Sequence, residues 1–461
     1  MIRSWKGKHV TVMGLGGFGG GVGVTRWLVA QGARVLVTDQ APAEKLAPTL
    51  RQIEDLKVEL RLGGHDDRDF RGADVVVVNP AVPDSSPFLQ NARAAGVPIT
   101  TEINLFVERC PARCVGITGS VGKSTVTAMC GHVLQHTLPD RRVWVGGNIG
   151  ASLLDALPEM QPADLVVLEL SSFQLHRTPL VRWSPHVAVI TNITPNHLDW
   201  HGTFAAYAAA KFNILRFQDP ARDVIVVADR ADLRAMLDQL HGDLAGAWRY
   251  ALDGDVPVAR MQSCSGVDTD DRRVRWDGVR LRVLGRHNRE NAAAALTVAQ
   301  ALGVASEAAA AAIATFEALP HRLQTIAEVD GVRWVDDSKA TTPEAALTAL
   351  EAIGGPVLII LGGYDKGSDL RPLAERVAKR AGFAACIGRT GAALAEAVRG
   401  AGGQAEYCEV LPRAVEACRL RATAGDTVLL SPACASWDQF VDYRQRGQQF
   451  AELARGQCVG A

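Results

Sequence analysis

The sequence predicts an α/β protein of three successive domains, each built on a mostly parallel sheet with crossover helices. Three observations carry this. Short apolar runs end at glycine or proline and give way to helical spacing, repeatedly along the chain. Two of the turns are glycine-rich, "GLGGFG" at 14–19 and "GITGSVGKST" at 116–125. The length of 461 residues suits about three domains of roughly 150 residues.

Taken in order, "HVTVMG" (9–14) is a strand before glycines, "VTRWLVAQGA" (24–33) has helical spacing, and "RVLVTD" (34–39) is the next strand. "DVVVVNP" (74–80) is a further strand, stopped by proline. Residues 1–109 form the first domain, Rossmann-like in its strand–glycine turn–helix start. The second, 110–317, opens on "CVGITGS" and continues with strands at 164–170, 186–192 and 223–229. The alternating stretch 267–285, with its "WDG" turn, reads as a half-exposed hairpin. "NAAAALTVAQALG" (291–303) is helical and ends at glycine. The alanine-rich segments 205–210 and 307–314 also read as helix. The third domain, 318–461, carries strands at 355–363, 384–388 and 426–432 and a final amphipathic helix at about 437–455.

Composition narrows the function classes. A formal net charge of -1 argues against a nucleic-acid or acidic-membrane binder. No apolar stretch approaches the roughly 18 residues of a membrane span. The start has basic residues before an apolar run, but glycine interrupts that run, so no signal peptide is expected. The nine cysteines are scattered; Cys110 and Cys114 lack the second pair a zinc site needs, which points to reduced thiols and a cytoplasmic location.

"GLGGFG" follows a strand, and Asp39 lies further along, as in a dinucleotide fingerprint. The glycines let backbone approach a phosphate near a helix N-terminus. A nucleoside-diphosphate sugar uses the same physics as NAD, and no residues suited to hydride transfer accompany this turn. In "GITGSVGKST" the amides around Gly119 and Gly122 would wrap a triphosphate, Lys123 would reach its terminal phosphates, and Ser124 or Thr125 would face Mg²⁺. The strict pattern asks for glycine where Ile117 stands. "LELSSFQL" (168–175) ends a buried strand on Glu169, a carboxylate that is costly there unless paired or on a cation. "TNITPNHLDWHG" (191–202) brings His197 and Asp199 to the same sheet edge.

The ordered set "TGSVGKST", "ELSSFQL", "NITPNHLD", "GRHNRENAAAA", "LPHR", "DDSKAT" and "SPACASWDQF" resembles the Mur ligases over nearly the whole chain. Within that family it is most similar to members that add glutamate to UDP-N-acetylmuramoyl-L-alanine. The resemblance implies a central P-loop-type ATPase domain between two Rossmann-like domains. It implies an amide ligase that forms an acyl phosphate with ATP, in peptidoglycan precursor synthesis. It implies two Mg²⁺ sites, held by Ser124, Glu169, His197 and Lys211, the last as a CO2-derived carbamate.

Further roles follow from the same resemblance. Asn148 contacts substrate and nucleotide. Asn288 and Asn291 lie at the adenine, Arg322 and Asp337 at the γ-phosphate and ribose, and Lys339 beside the reacting groups. Leu15, Gly16, Gly17, Asp39 and Asn79 hold the UDP end, and Thr341, Lys366, Ser436 and Tyr443 grip glutamate, expected as the D-enantiomer. A monomer acting on small molecules is expected. The chain departs from the family pattern at Val121, at Pro195 and Asn196, at Ala41, at Tyr443 and in "NPAVP" (79–83). The residues alone leave open another amino acid, a folylpolyglutamate-type ligase, or an NAD-binding oxidoreductase or sensor.

Overall fold

The computed structural model describes residues 4–16, 19–150, 152–241, 246–261, 273–364 and 367–456. Its apolar runs lie in three sheets. The first holds β1 (His9–Met13), β2 (Arg34–Asp39), β3 (Glu59–Leu62), β4 (Val75–Val78) and β5 (Ile99–Thr100). All pairings are parallel, in the order β3-β2-β1-β4-β5. The order reverses between β1 and β4, and an open parallel sheet takes ligands at the carboxyl ends of such a pair.

The second sheet holds β6 (Arg113–Thr118), β7 (Val143–Gly147), β8 (Leu165–Glu169), β9 (Val187–Ile190), β10 (Val224–Ala228), β11 (Trp248–Asp253), β12 (Val256–Met261) and β13 (Arg273–Arg275). β6 is central, with β8 and β9 parallel on either side. Every residue of β8 is buried, as expected of a strand covered on both faces. The third sheet runs β14 (Gln324–Val329), β15 (Val332–Asp336), β19 (Thr427–Leu430), β16 (Val357–Gly362), β17 (Phe383–Ile387) and β18 (Ala405–Glu409). Along β16, Ile359 and Leu361 enter one apolar cluster and Leu358 and Ile360 the other. That is the period-two alternation of a sheet buried on both sides.

The chain divides into two compact units, Met1–Gly278 with Glu290–Ile313, and Val279–Arg289 with Ala314–Ala461. The first holds the first two sheets and the second the third sheet. Three expectations are corrected. The hairpin expected over 267–285 is absent from its described part: Arg273–Arg275 pairs instead with Val256–Met261, and no strand follows the turn at Asp277 and Gly278. The chain passes there from one unit to the other; residues 267–272 lie outside the described residues. The last helix is Tyr443–Ala454, shorter than expected, because Asp442 caps it by accepting from the amides of Arg444 and Gln445. The helix expected at 291–303 starts earlier and spans Arg286–Ala301.

Candidate active site

β6 ends at Thr118, and the loop that follows enters the helix Lys123–Thr137 through Gly122, whose φ of 88° favours glycine. Lys123 Nζ folds back on the loop, donating to Gly119 O (2.9 Å) and Ser120 O (3.1 Å). Lys211, from the alanine-rich helix Phe204–Phe212, reaches the same carbonyl: its Nζ donates to Gly119 O at 2.8 Å. This lysine is 1 % exposed. Burial, then the charge of Lys123, pushes its pKa down to about 6, against the opposite pull of Glu169.

Glu169 closes β8 and is 2 % exposed. Its Oε1 accepts from Asn148 Nδ2 (2.9 Å), while Oε2 is buried without a hydrogen-bond partner among the described residues. The Asn148 amide donates to Glu169 O (2.8 Å), which fixes the two strand ends together. Asn291 packs on the phosphate loop: a β-carbon on Gly122 would stand 2.7 Å from its Oδ1. Ser124 and Thr125 are half-buried in the first turn of the helix.

His197 starts the one-turn helix Leu198–His201 from a left-handed conformation, φ 52°. The residue is exposed, but its ring lies 4.8 Å from that of Phe173. The resulting loss of hydration pushes the imidazole pKa down; Asp199 opposes this, and Lys123 and Lys211 add to it. The structure therefore brings Lys123, Lys211 and Asn291 to one loop, with Glu169, held by Asn148, and His197 within electrostatic reach of the lysines.

Sequence reasoning missed the residues that hold this loop in place. Thr191 Oγ1 donates to Val121 O (2.8 Å), and Asn192 both accepts from the Val121 amide and donates to its carbonyl, each at 2.9 Å. Ser120 Oγ donates to Thr194 O (2.9 Å) and lies 2.8 Å from Tyr207 OH. The available signal was "TN" closing a buried strand: polar residues at that edge need partners.

In the first sheet the UDP candidates also come together. Asp39 Oδ2 accepts from the amides of Leu15 (2.9 Å) and Gly16 (3.4 Å), and its Oδ1 accepts from Ala41 N (2.9 Å). Asn79 follows β4 directly, and its amide donates to Met13 O (2.8 Å). Gly17 lies outside the described residues.

The second unit carries the remaining candidates. Asp337 accepts from Ser431 Oγ at 2.8 Å and from Leu323 N at 3.2 Å. Burial raises its pKa to about 7, and Arg322 is among the charges that oppose the rise. Lys339 Nζ stands 5.3 Å from the centre of the Tyr443 ring. The Ala433 amide donates to Ala340 O (3.0 Å), which joins the chain beside Thr341 to the loop leading to the buried Ser436. Asn288 donates to Leu284 O (2.7 Å). Lys366 lies outside the described residues. Arg446 was missed: fully buried, it donates to Ser338 Oγ (2.9 Å), Ser338 O (2.8 Å) and Cys434 O (3.2 Å). Its signal was the "QRG" of the last helix.

Comparison with known proteins shows the family of the chain. Residues 8–101 match the Mur ligase MurD-like N-terminal domain, 117–299 the Mur ligase middle domain, and 321–434 the Mur ligase glutamate ligase domain. The chain belongs to the Mur ligase family. It is 41% identical to UDP-N-acetylmuramoylalanine–D-glutamate ligase of Roseiflexus sp. (strain RS-1), across 97% of this chain and 98% of that protein. It is 40% identical to the enzyme of the same name from Anaeromyxobacter dehalogenans (strain 2CP-C), across 98% of each. Among solved structures, the UDP-N-acetylmuramate-alanine ligase MurC of Thermotoga maritima shares the fold, with a TM-score of 0.60 and 21% identity over 97% of this chain and 99% of that one.

Proposed function

We propose that this chain is an ATP-dependent ligase that adds D-glutamate to UDP-N-acetylmuramoyl-L-alanine in peptidoglycan synthesis, forming ADP and phosphate. The observation that carries this reading is near-full-length identity to ligases of that name, joined to two lysines and a buried carboxylate at one phosphate loop. The NAD-binding alternative falls with family membership.

A carboxylate is a poor electrophile, because its anion repels an amine and has no good leaving group. The acceptor carboxylate takes the γ-phosphoryl group, ADP leaves, and the glutamate amine displaces phosphate from the acyl phosphate. Lys123 would exchange its loop carbonyls for the terminal phosphates. Asn291, together with Asn288, Arg322 and Asp337, is assigned to ATP.

The donor set fits a divalent cation. Glu169 Oε2, buried without a hydrogen-bond partner among the described residues, is costly to leave so unless a cation takes it. Ser124, Glu169, His197 and Lys211 would hold Mg²⁺ at two sites. Bound there, it would draw off the negative charge of the phosphates. A carbamate made on Lys211 would add a second carboxylate to that of Glu169. A lysine whose pKa is about 6 is largely neutral at pH 7.5. A neutral amine adds CO2 to give a carbamate and a proton.

Residues 1–109 are assigned to the UDP end, with Leu15, Gly16, Gly17, Asp39 and Asn79; 110–317 to ATP; and 318–461 to the amino acid, with Thr341, Lys366, Ser436 and Tyr443. A cytoplasmic monomer is proposed; no described helix is long and apolar enough to cross a membrane. The test is mass spectrometry of the product from UDP-N-acetylmuramoyl-L-alanine, ATP and each glutamate enantiomer in turn. Product with the D-form alone supports the reading. ATP-dependent product with only the L-form overturns the stereochemistry, and no product with either overturns the substrate. Within the pocket, Lys366→Ala is expected to raise the KM for glutamate at least about tenfold, the loss of one donor to a charged group. An effect on ATP alone would move Lys366 out of that pocket.

A further inference from the structure

The loop after β4, where this chain has "NPAVPD", is held from outside its own sheet. Arg177, just beyond "ELSSFQL", is 2 % exposed. Its Nη2 donates to Val82 O (2.7 Å) and to Asp84 Oδ1 (3.0 Å), and its Nη1 to Pro80 O (3.4 Å). Its own carbonyl accepts from Asn104 Nδ2 (2.9 Å). The carbonyl between those two, Ala81 O, accepts from Trp200 Nε1 at 2.8 Å. His176 Nε2 donates to Asp84 Oδ2 (2.7 Å), and its ring stands edge-on to Trp200 at 5.2 Å. Three successive carbonyls and one carboxylate are thus bound by side chains that follow β8 and β9.

Asn79 is tied to the same carbonyl run. Its Oδ1 accepts from the Ala81 amide (3.0 Å), its own carbonyl accepts from the Val82 amide (3.0 Å), and its side chain packs against Gly14. A shift at Ala81 therefore moves Asn79 across the glycine turn. An ordinary buried ion pair needs only Asp84 and a cation. Aiming a buried guanidinium at two neighbouring carbonyls, with an indole on the one between, instead fixes the path of the loop.

We propose that Arg177 and Trp200 are positioning residues for the UDP substrate, holding residues 80–82 and through them Asn79 at the carboxyl end of β4. This rests on the reading of Asn79 as a substrate contact. The turn's own bonds, from the Ala81 and Val82 amides to Asn79, are thus supplemented by bonds to all three of its carbonyls from outside.

Calorimetric titration of the full-length chain with UDP-N-acetylmuramoyl-L-alanine tests this in Asn79→Ala, Trp200→Phe and Arg177→Lys. Trp200→Phe keeps an aromatic side chain at that place while removing the donor with the five-membered part of the indole, so it remains informative if the buried arginine proves necessary for folding. The expected result is a Kd raised about two- to tenfold by Trp200→Phe, the range for one neutral hydrogen bond. Arg177→Lys, which keeps the charge but loses the fork, should raise it about tenfold or more. The KM for ATP should stay within about twofold, less than the smallest of these hydrogen-bond effects. If Asn79→Ala weakens binding while neither clamp variant does, the positioning role is overturned and the Asn79 reading stands. Equal losses for both substrates with a fall in Tm also overturn it, leaving a structural ion pair. If Asn79→Ala binds like wild type, the substrate contact itself is wrong, and the proposal falls with it.

Discussion

The two glycines that cap the helices after the glycine-rich stretches have nearly the same conformation and opposite chemical surroundings. Gly19 (φ 87°, ψ -24°) caps the helix Gly20–Ala30, and Gly122 (φ 88°, ψ -18°) caps Lys123–Thr137. Neither cap has a side-chain hydrogen bond, and neither helix has an acidic residue in its first turn. Around the first turn a carboxylate is already in place, since Asp39 holds the amides of Leu15 and Gly16. Around the second, two lysines converge on one carbonyl. A glycine pattern thus sets how closely an anion can approach, while the side chains brought in from elsewhere decide which anion comes.

The largest effect should come from the second turn. Lys123→Ala is expected to cut kcat by about a hundred- to a thousandfold, the loss seen when one preorganised donor to developing charge is removed. Binding of UDP-N-acetylmuramoyl-L-alanine, read by calorimetry, should be unchanged. Coupled loss of both would merge the two turns into one site. Next, Lys211→Ala should lose about a hundredfold while its melting temperature and circular dichroism stay near wild type. Acetate should restore part of the rate by standing in for the carbamate; full activity with a neutral residue at 211 would remove the carbamate from the mechanism.

A smaller effect is expected at the first turn. Asp39→Ala frees three backbone amides and should raise the KM for the UDP substrate about tenfold, with the ATP constant unmoved. A change in the ATP constant would break the division of labour.

The smallest effect concerns a carboxylate with the opposite fate. Asp39 is satisfied by amides, whereas burial lifts Asp337 from 3.8 to about 7. The folded chain thus holds that proton more tightly than the unfolded one. Its stabilising share is full below about pH 4 and is lost as pH rises toward 7. Without nucleotide, Asp337→Asn should therefore be more thermostable than wild type at pH 8, by about 2 °C, and the gain should vanish at pH 4. A gain of equal size at both values would assign it to packing instead.

The strands that were legible are those whose runs are buried on both faces, such as β4 and β8. The edge strands were not. Glu59–Leu62 has three exposed residues of four and Ala405–Glu409 presents a mixed pattern, so neither has a run to find. Lys123 and Glu169 were legible because a short motif fixes each locally. Lys211 was named only through the family resemblance, since the carbonyl it binds lies 92 positions away and an alanine-rich helix gives no local hint of it. Thr191 and Asn192 escaped for the same reason, reaching a loop 70 and 71 positions back.

Arg446 adds a consequence for the order of synthesis. It reaches back 108 positions to Ser338, yet it lies in the last helix described. Chains emerge from the ribosome amino end first, and domains fold as they become complete. The phosphate loop and its lysines can assemble early, whereas the turn carrying Asp337 and Lys339 must wait for this arginine. A chain that had not yet reached Arg446 would leave Ser338 without the two guanidinium donors that hold its hydroxyl and carbonyl.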